Sequence, residues 1–127
     1  MGNCSPASYC DIFLRLMKAD LTFIKNGTVT SPTGFSSGAA YGGINKHAMY
    51  NLDVGILYSD APCNATGTFT TNKIKAASVL LCQRILPAKT IRAIVANSGC
   101  ANASTGENGQ VDAVNMEAAA AARVGVV

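Results

Sequence analysis

From Ser98 to Gly109 the chain reads SGCANASTGENG, a run of hydroxyls, carboxamides and glycines set between two stretches of different character. A strand that empties through small polar residues into a helix gathers unpaired backbone N–H groups and hydroxyls at one point. The chemistry open to such a point is to hold an anion, or the negative charge of a transition state. The run supplies no activated nucleophile. His47 is the single histidine and reads as a loop or surface residue, so no pair with a serine or cysteine builds a triad. It is not a P-loop, since the Gly-Lys-[Ser/Thr] ending is missing, and it holds no G-x-G-x-x-G. The plain alternative is an ordinary polar strand-to-helix turn.

The elements that must position this turn follow from the hydropathy pattern. Ile91 to Ala96 alternates apolar residues in a way that suits a buried strand, and Gln110 to Val124 has helical spacing. In that helix Val111, Val114, Ala118 and Ala121 share a stripe, with Asp112, Asn115 and Arg123 off it. Glu107 stands at its start, where a carboxylate complements the helix dipole. Upstream, residues Asn26 to Gly43 read as loop or short strand. Asn51 to Asp60 reads as a central strand ended by Asp60-Ala61-Pro62, and Cys63 to Thr71 as the next strand. A helix is expected to start at Asn72 and to stop at Pro87. Ile12, Phe13, Leu16 and Met17 predict a short amphipathic helix near the N-terminus. Strands alternating with helices give an α/β, layered α+β class, with too few strands to close a sheet. The last helix runs almost to Val127 with no strand after it, an ending expected of a truncated domain.

Composition narrows the function. Of the 127 residues 49% are apolar and only 13% charged, against about 25% charged in an ordinary soluble domain. Such a chain is expected to have much of its surface covered by more protein. The formal net charge of +3 is small, and its basic residues, among them Arg15, Lys25, Lys46, Lys75, Arg92 and Arg123, fall singly, away from stacking aromatics. They read as solvated surface and make no case for nucleic acid. Five cysteines, Cys4, Cys10, Cys63, Cys82 and Cys100, lack a C-x-x-C spacing, so no metal site is expected. They read as reduced and mostly buried, as in a cytosolic protein. Asn3, Asn26, Asn64 and Asn102 each begin an N-x-[ST] triplet, which carries little weight without a signal peptide. No stretch approaches the roughly 20 apolar residues of a membrane span, and a cytoplasmic location is expected.

Three segments taken together are more specific. They are PTGFSSGAAYGGIN, DVGILYSDAPCNATGTFTTNKIKAASV and RAIVANSGCANASTGENGQVDA. In that order and at those separations the chain resembles the N-terminal part of the ornithine acetyltransferase family, the bifunctional glutamate N-acetyltransferases of arginine biosynthesis. The sharpest signals are Gly67-Thr68-Phe69-Thr70-Thr71-Asn72-Lys73, Asn97-Ser98-Gly99 through Ala101-Asn102-Ala103, and Thr105-Gly106. The resemblance implies an acetyltransferase domain over residues 28 to 127, truncated at its C-terminal end, behind a divergent extension of residues 1 to 27.

The same resemblance implies a precursor that cuts itself before an internal threonine, which becomes the nucleophile with its own amine as base. That threonine takes the acetyl group from N-acetylornithine and passes it to glutamate; some members accept acetyl-CoA as donor, and no resident cofactor is implied. Thr105 and Gly106 match the family's oxyanion-hole pair. A threonine hydroxyl and a glycine N–H at a helix start can point at one oxygen, and glycine lets the backbone approach closely. The alternative for Thr105 is a helix cap, and the two roles can coexist.

The nucleophile, cleavage site and most substrate contacts are expected beyond Val127, so the chain alone is expected to be inactive. The family's α and β chains form an α2β2 heterotetramer. Two departures stand out: Cys100 where the family has asparagine, and Ser104 where it has cysteine. Cys100 has neither a histidine partner nor a cationic neighbour, so it reads as a packing or tuning change. Two other classes are weighed beside the acetyltransferase. One is a non-catalytic relative that keeps the sheet; the other is a self-processing amidohydrolase whose acyl group goes to water.

Overall fold

The structure is a computed structural model and describes residues 23–44 and 51–126. His47, Cys4, Cys10 and the expected helix around Ile12 to Met17 lie outside the described residues. Three strands form an antiparallel sheet in the order β1 (Phe35–Ala40), β2 (Val54–Ala65), β3 (Ala88–Asn97). Helix α1 (Ala77–Ile85) lies between β2 and β3 in the chain, and α2 (Gly106–Val124) follows β3. The two helices pack on each other, and α2 also packs on β3. The class is α+β.

β2 is the central strand, paired along both edges from Val54 to Tyr58 with Ala40–Ser36 on one side and Asn97–Ala93 on the other. It does not end at Asp60-Ala61-Pro62. The strand runs on to Ala65, and the register against β3 shifts between Tyr58 and Cys63. The expected second strand from Cys63 to Thr71 is therefore the continuation of β2 as far as Ala65, followed by irregular chain. A bulge explains how proline is tolerated: Pro62 has no N–H to give, and a bulge leaves extra residues outside the ladder. Buried Ser59, 6% exposed, organises the bulge. Its hydroxyl donates to the Ala61 carbonyl at 2.8 Å and accepts from the Cys63 thiol at 3.2 Å. Across the ladder the Arg92 guanidinium donates to the Ser59 carbonyl at 2.8 Å and to the Tyr58 hydroxyl, and lies 5.2 Å from the Tyr58 ring centroid.

α1 starts later than expected. Asn72 accepts the Ile74 N–H at 3.0 Å through its side-chain oxygen, and its own N–H donates to the Thr70 hydroxyl at 3.2 Å. These side chains satisfy a turn that competes with helix, and α1 begins only at Ala77. Its C-terminal limit agrees with Pro87: Leu86 is the C-cap, donating to the Cys82 carbonyl at 2.9 Å.

The inward face of α2 also differs from the expected stripe. Gly109, Ala113, Met116, Ala120, Ala121 and Val124 are buried or half-buried, so of the expected stripe Ala121 turns inward, whereas Val111 and Val114 are 56% and 43% exposed and Ala118 is exposed. An alanine-rich helix carries small apolar residues on every face, so the choice of inward face is made by fit: Gly109 admits the preceding turn. The cysteines are likewise less buried than expected, with Cys82 and Cys100 exposed and Cys63 half-buried.

Among the described residues Ala77 is the single buried apolar side chain, and no large side chain is fully buried. Ile74, Leu52 and Ile94 are 72%, 65% and 61% exposed.

Candidate active site

The site turn is anchored at its start by β2. Asp53, 4% exposed, accepts the Gly42 and Ile44 N–H groups through its two carboxylate oxygens at 2.5 and 2.7 Å. Its backbone carbonyl accepts the Ser98 N–H at 2.8 Å. One buried residue thus ties the exit of β1 to the exit of β3. Beyond Ser98, the Asn97 carboxamide donates to the Cys100 carbonyl at 3.1 Å and closes the first bend.

The second bend carries the predicted pair. Ser104 has φ 57°, Thr105 has φ −97° and ψ 4°, and Gly106 has φ 64°. Positive φ at Ser104 and Gly106 brackets a bridge-region threonine. This alternation of hand turns successive N–H groups toward one side, the arrangement that makes an anion-binding concavity. Gly106 opens α2, whose first N–H groups have no intrahelical acceptor. A Cβ on Gly106 would meet open space, so glycine is required there by its backbone conformation and not by crowding.

Thr105 is the N-cap residue of α2, but its side chain makes no cap bond. Its hydroxyl donates to Asn102 Oδ1. Asn102 Nδ2 in turn donates to the Gly109 carbonyl at 2.6 Å, and the Asn102 carbonyl accepts the Ala77 N–H at 3.0 Å. Asn102 therefore joins the turn, the first turn of α2 and the start of α1. Gly109 is part of the same fit, because a Cβ there would lie 1.8 Å from Thr105 Oγ1 and 2.3 Å from Asn102 Oδ1.

Thr105 and Gly106 line one wall of an open cleft of about 130 Å³, with Ser104 and Gln110 beside them. Lys75, Ala77 and Leu80 form the other wall. Lys75 donates to Gln83 Oε1 at 3.3 Å and brings a cation to the wall of the cleft. A larger groove of about 400 Å³ crosses β1 and β2 at Ser36, Gly38, Ile56 and Tyr58, with Val124 at its edge. It has no charged lining. Among the described residues no group of His, Cys, Asp and Glu side chains could hold a metal ion. No described helix is long and apolar enough to cross a membrane.

Sequence reasoning singled out Thr105 and Gly106 but missed Asn102, Gly109, Lys75 and Asp53. Asn102 stands three residues before Thr105, the span of a local side-chain turn, which was a usable signal. Lys75 carried none, since only the fold brings α1 to the turn.

A three-stranded antiparallel sheet with two packed helices and a polar turn between the last strand and the last helix defines a layered α+β unit. Residues 36–127 match the model of the ArgJ family, and the chain belongs to that family. It is 51% identical over 105 residues to the arginine biosynthesis bifunctional protein ArgJ of Dehalococcoides mccartyi, covering 83% of this chain and 26% of that protein. It is 49% identical over 90 residues to the mitochondrial ArgJ of Yarrowia lipolytica, covering 68% and 21%. The chain thus spans about a quarter of the length of these curated relatives. Among solved structures, ArgJ from Bacillus halodurans superposes with a TM-score of 0.72 at 32% identity, over 80% of this chain and 52% of that one. Ornithine acetyltransferase from Mycobacterium tuberculosis, complexed with ornithine, gives 0.62 at 40% identity, over 67% and 44%.

Proposed function

We propose that this chain supplies the oxyanion hole of a glutamate N-acetyltransferase, with the nucleophilic threonine carried on a segment outside these 127 residues. The observation that carries this reading is the alternation of hand through Ser104, Thr105 and Gly106, the backbone conformation of an anion-binding nest, at the wall of a cleft that Lys75 also lines. In the proposed reaction the threonine hydroxyl adds to the acetyl carbonyl of N-acetylornithine. The carbonyl oxygen gains negative charge beside Gly106. The threonine's own amine carries the hydroxyl proton to the departing nitrogen so that ornithine leaves as the amine, and the acetyl group remains on the threonine as an ester. The amine of glutamate then attacks the ester through a second oxyanion at the same place. The M. tuberculosis relative, complexed with ornithine, supports ornithine as leaving group; acetyl-CoA is an alternative donor at the same acyl-enzyme.

In this proposal residues 28 to 127 belong to the acetyltransferase domain and residues 1 to 27 are an extension. The exposed Ile74, Ile94 and Leu52 are covered by a β-chain from the same precursor in an α2β2 assembly. The free thiols of Cys63, Cys82 and Cys100 support the cytoplasm as compartment.

The test is expression of the full reading frame that contains this chain. The expected product runs as two chains on a denaturing gel and transfers acetyl from N-acetylornithine to glutamate. Thr105→Val is expected to lower kcat by about 10² to 10³, the usual cost of one oxyanion donor. An uncut product without transfer would sink the reading.

A further inference from the structure

Asn102 has a carboxamide with two donor hydrogens and one acceptor oxygen, and its surroundings leave it one orientation. The Gly109 carbonyl can only accept, and it lies 2.6 Å from Asn102 Nδ2. Turning the carboxamide over would set two carbonyl oxygens against each other at that distance. Gly109 thereby fixes Oδ1 on the side of Thr105. Oδ1 in turn can only accept, so the Thr105 hydroxyl is the donor of the bond between them. The Thr105 proton points at Asn102, and Thr105 itself lines the cleft.

The position of Thr105 is fixed by the same residues. Its Oγ1 occupies the space a Cβ on Gly109 would take. Asn102 itself cannot drift, because its backbone carbonyl holds the Ala77 N–H at 3.0 Å and so joins it to the opposite wall of the cleft.

Resting on the oxyanion-hole reading above, we infer that Asn102 is a positioning residue that holds the Thr105 hydroxyl in reserve for the transition state. In the ground state the proton lies on the bond to Asn102, and a neutral substrate carbonyl is a weak competitor for it. As the carbonyl oxygen acquires charge, it becomes the better acceptor, since hydrogen bonds to an ionised partner are roughly twice as strong. The hydroxyl then turns from Asn102 Oδ1 to the oxyanion, adding its donation to that of the Gly106 N–H; no covalent bond changes in this switch. An interaction made in the transition state and not before raises kcat without tightening substrate. Asn102 thus contributes by setting the distance and the resting direction of a donor it does not itself supply.

The test is a double-mutant cycle in the product of the full reading frame, with Asn102→Ala, Thr105→Val and their combination. Transfer from N-acetylornithine to glutamate is followed, kcat and KM are separated, and circular dichroism reports folding. Asn102→Ala is expected to lower kcat by roughly 10-fold to 100-fold, the scale of a misplaced catalytic group, with KM within about 2-fold. In the Thr105→Val background the same substitution is expected to add almost nothing, because its effect passes through a hydroxyl already removed.

An undiminished loss in that background overturns the proposal and leaves the oxyanion reading in place, as does a loss confined to KM. A Thr105→Val protein with unaltered kcat overturns both. If Asn102→Ala does not fold, Asn102→Ser, too short to reach both Thr105 and Gly109, takes its place in the cycle with the same expected outcomes.

Discussion

Helices α1 and α2 both start without a side-chain cap, for different reasons. Ala76, at the N-cap of α1, has an extended backbone suited to capping and no polar atom to use. Thr105, at the N-cap of α2, has the hydroxyl but directs it to Asn102. The first N–H of α1 is instead satisfied from outside, by the Asn102 carbonyl, and the start of α2 lies at the wall of the cleft. One helix start is closed by the site turn and the other is kept open by it. A capped α2 would gain about 1 kcal/mol; under the proposed function it would also lose donors for the oxyanion, which gives the missing cap a role.

Removing the fit on which both starts depend gives the largest expected effect. In Gly109→Ala the new methyl would lie 1.8 Å from Thr105 Oγ1 and 2.7 Å from Thr105 Cβ, and neither atom belongs to a flexible chain end. The threonine must leave its place and Asn102 with it. Overpacking of this kind costs about 1–3 kcal/mol in stability. The kcat of the full protein should fall by about 10² to 10³, as for a lost oxyanion donor. Because Asn102 also closes α1, hydrogen exchange at the Ala77 amide should quicken in the same variant. Unchanged kcat with a still-protected Ala77 amide would separate the two helix starts.

Gly106→Ala should act on the open start alone. Its Cβ meets nothing within 4 Å, so the penalty is conformational: φ 64° puts alanine in the left-handed region, at about 1–2 kcal/mol. The Ala77 amide should keep its protection. Thermal denaturation together with exchange at Ala77 reads both, and loss of that protection would show that α1 depends on Gly106 as well as on Asn102.

The parts of this arrangement visible in the sequence were those set by local pattern. Ile91 to Ala96 is strand because its apolar residues alternate, and Thr105-Gly106 stood out because the motif around it matches the oxyanion-hole pair of the family the chain resembles. The parts set by non-local fit were hidden. Nothing in the spacing of Val111, Val114 and Ala118 said that Gly109 and Ala113 would face inward, since that follows from the room Thr105 needs. Asp60-Ala61-Pro62 read as a strand end because proline cannot donate to a ladder; only Ser59 and Arg92, acting across β2 and β3, carry the strand past it. Lys75 looked like solvated surface until α1 was placed against the turn.

The smallest expected effect comes from giving α1 a cap of its own. Asn72 is the start expected from the sequence, but its side chain serves the Ile74 N–H and the helix opens at Ala77. At Ala76 the backbone has φ −63° and ψ 152°, the extended form in which a serine hydroxyl can reach the N–H of the second or third helical residue. Ala76→Ser should therefore stabilise the protein by about 0.5–1 kcal/mol. It should leave kcat untouched, because the bond from Ala77 to Asn102 uses a different N–H and Ala76 does not line the cleft. Thermal unfolding of the two proteins side by side checks it. A gain confirms that α1 is closed only in part by the turn, and a loss would mean that serine draws Ala77 away from Asn102 and disturbs the start of α2 through it.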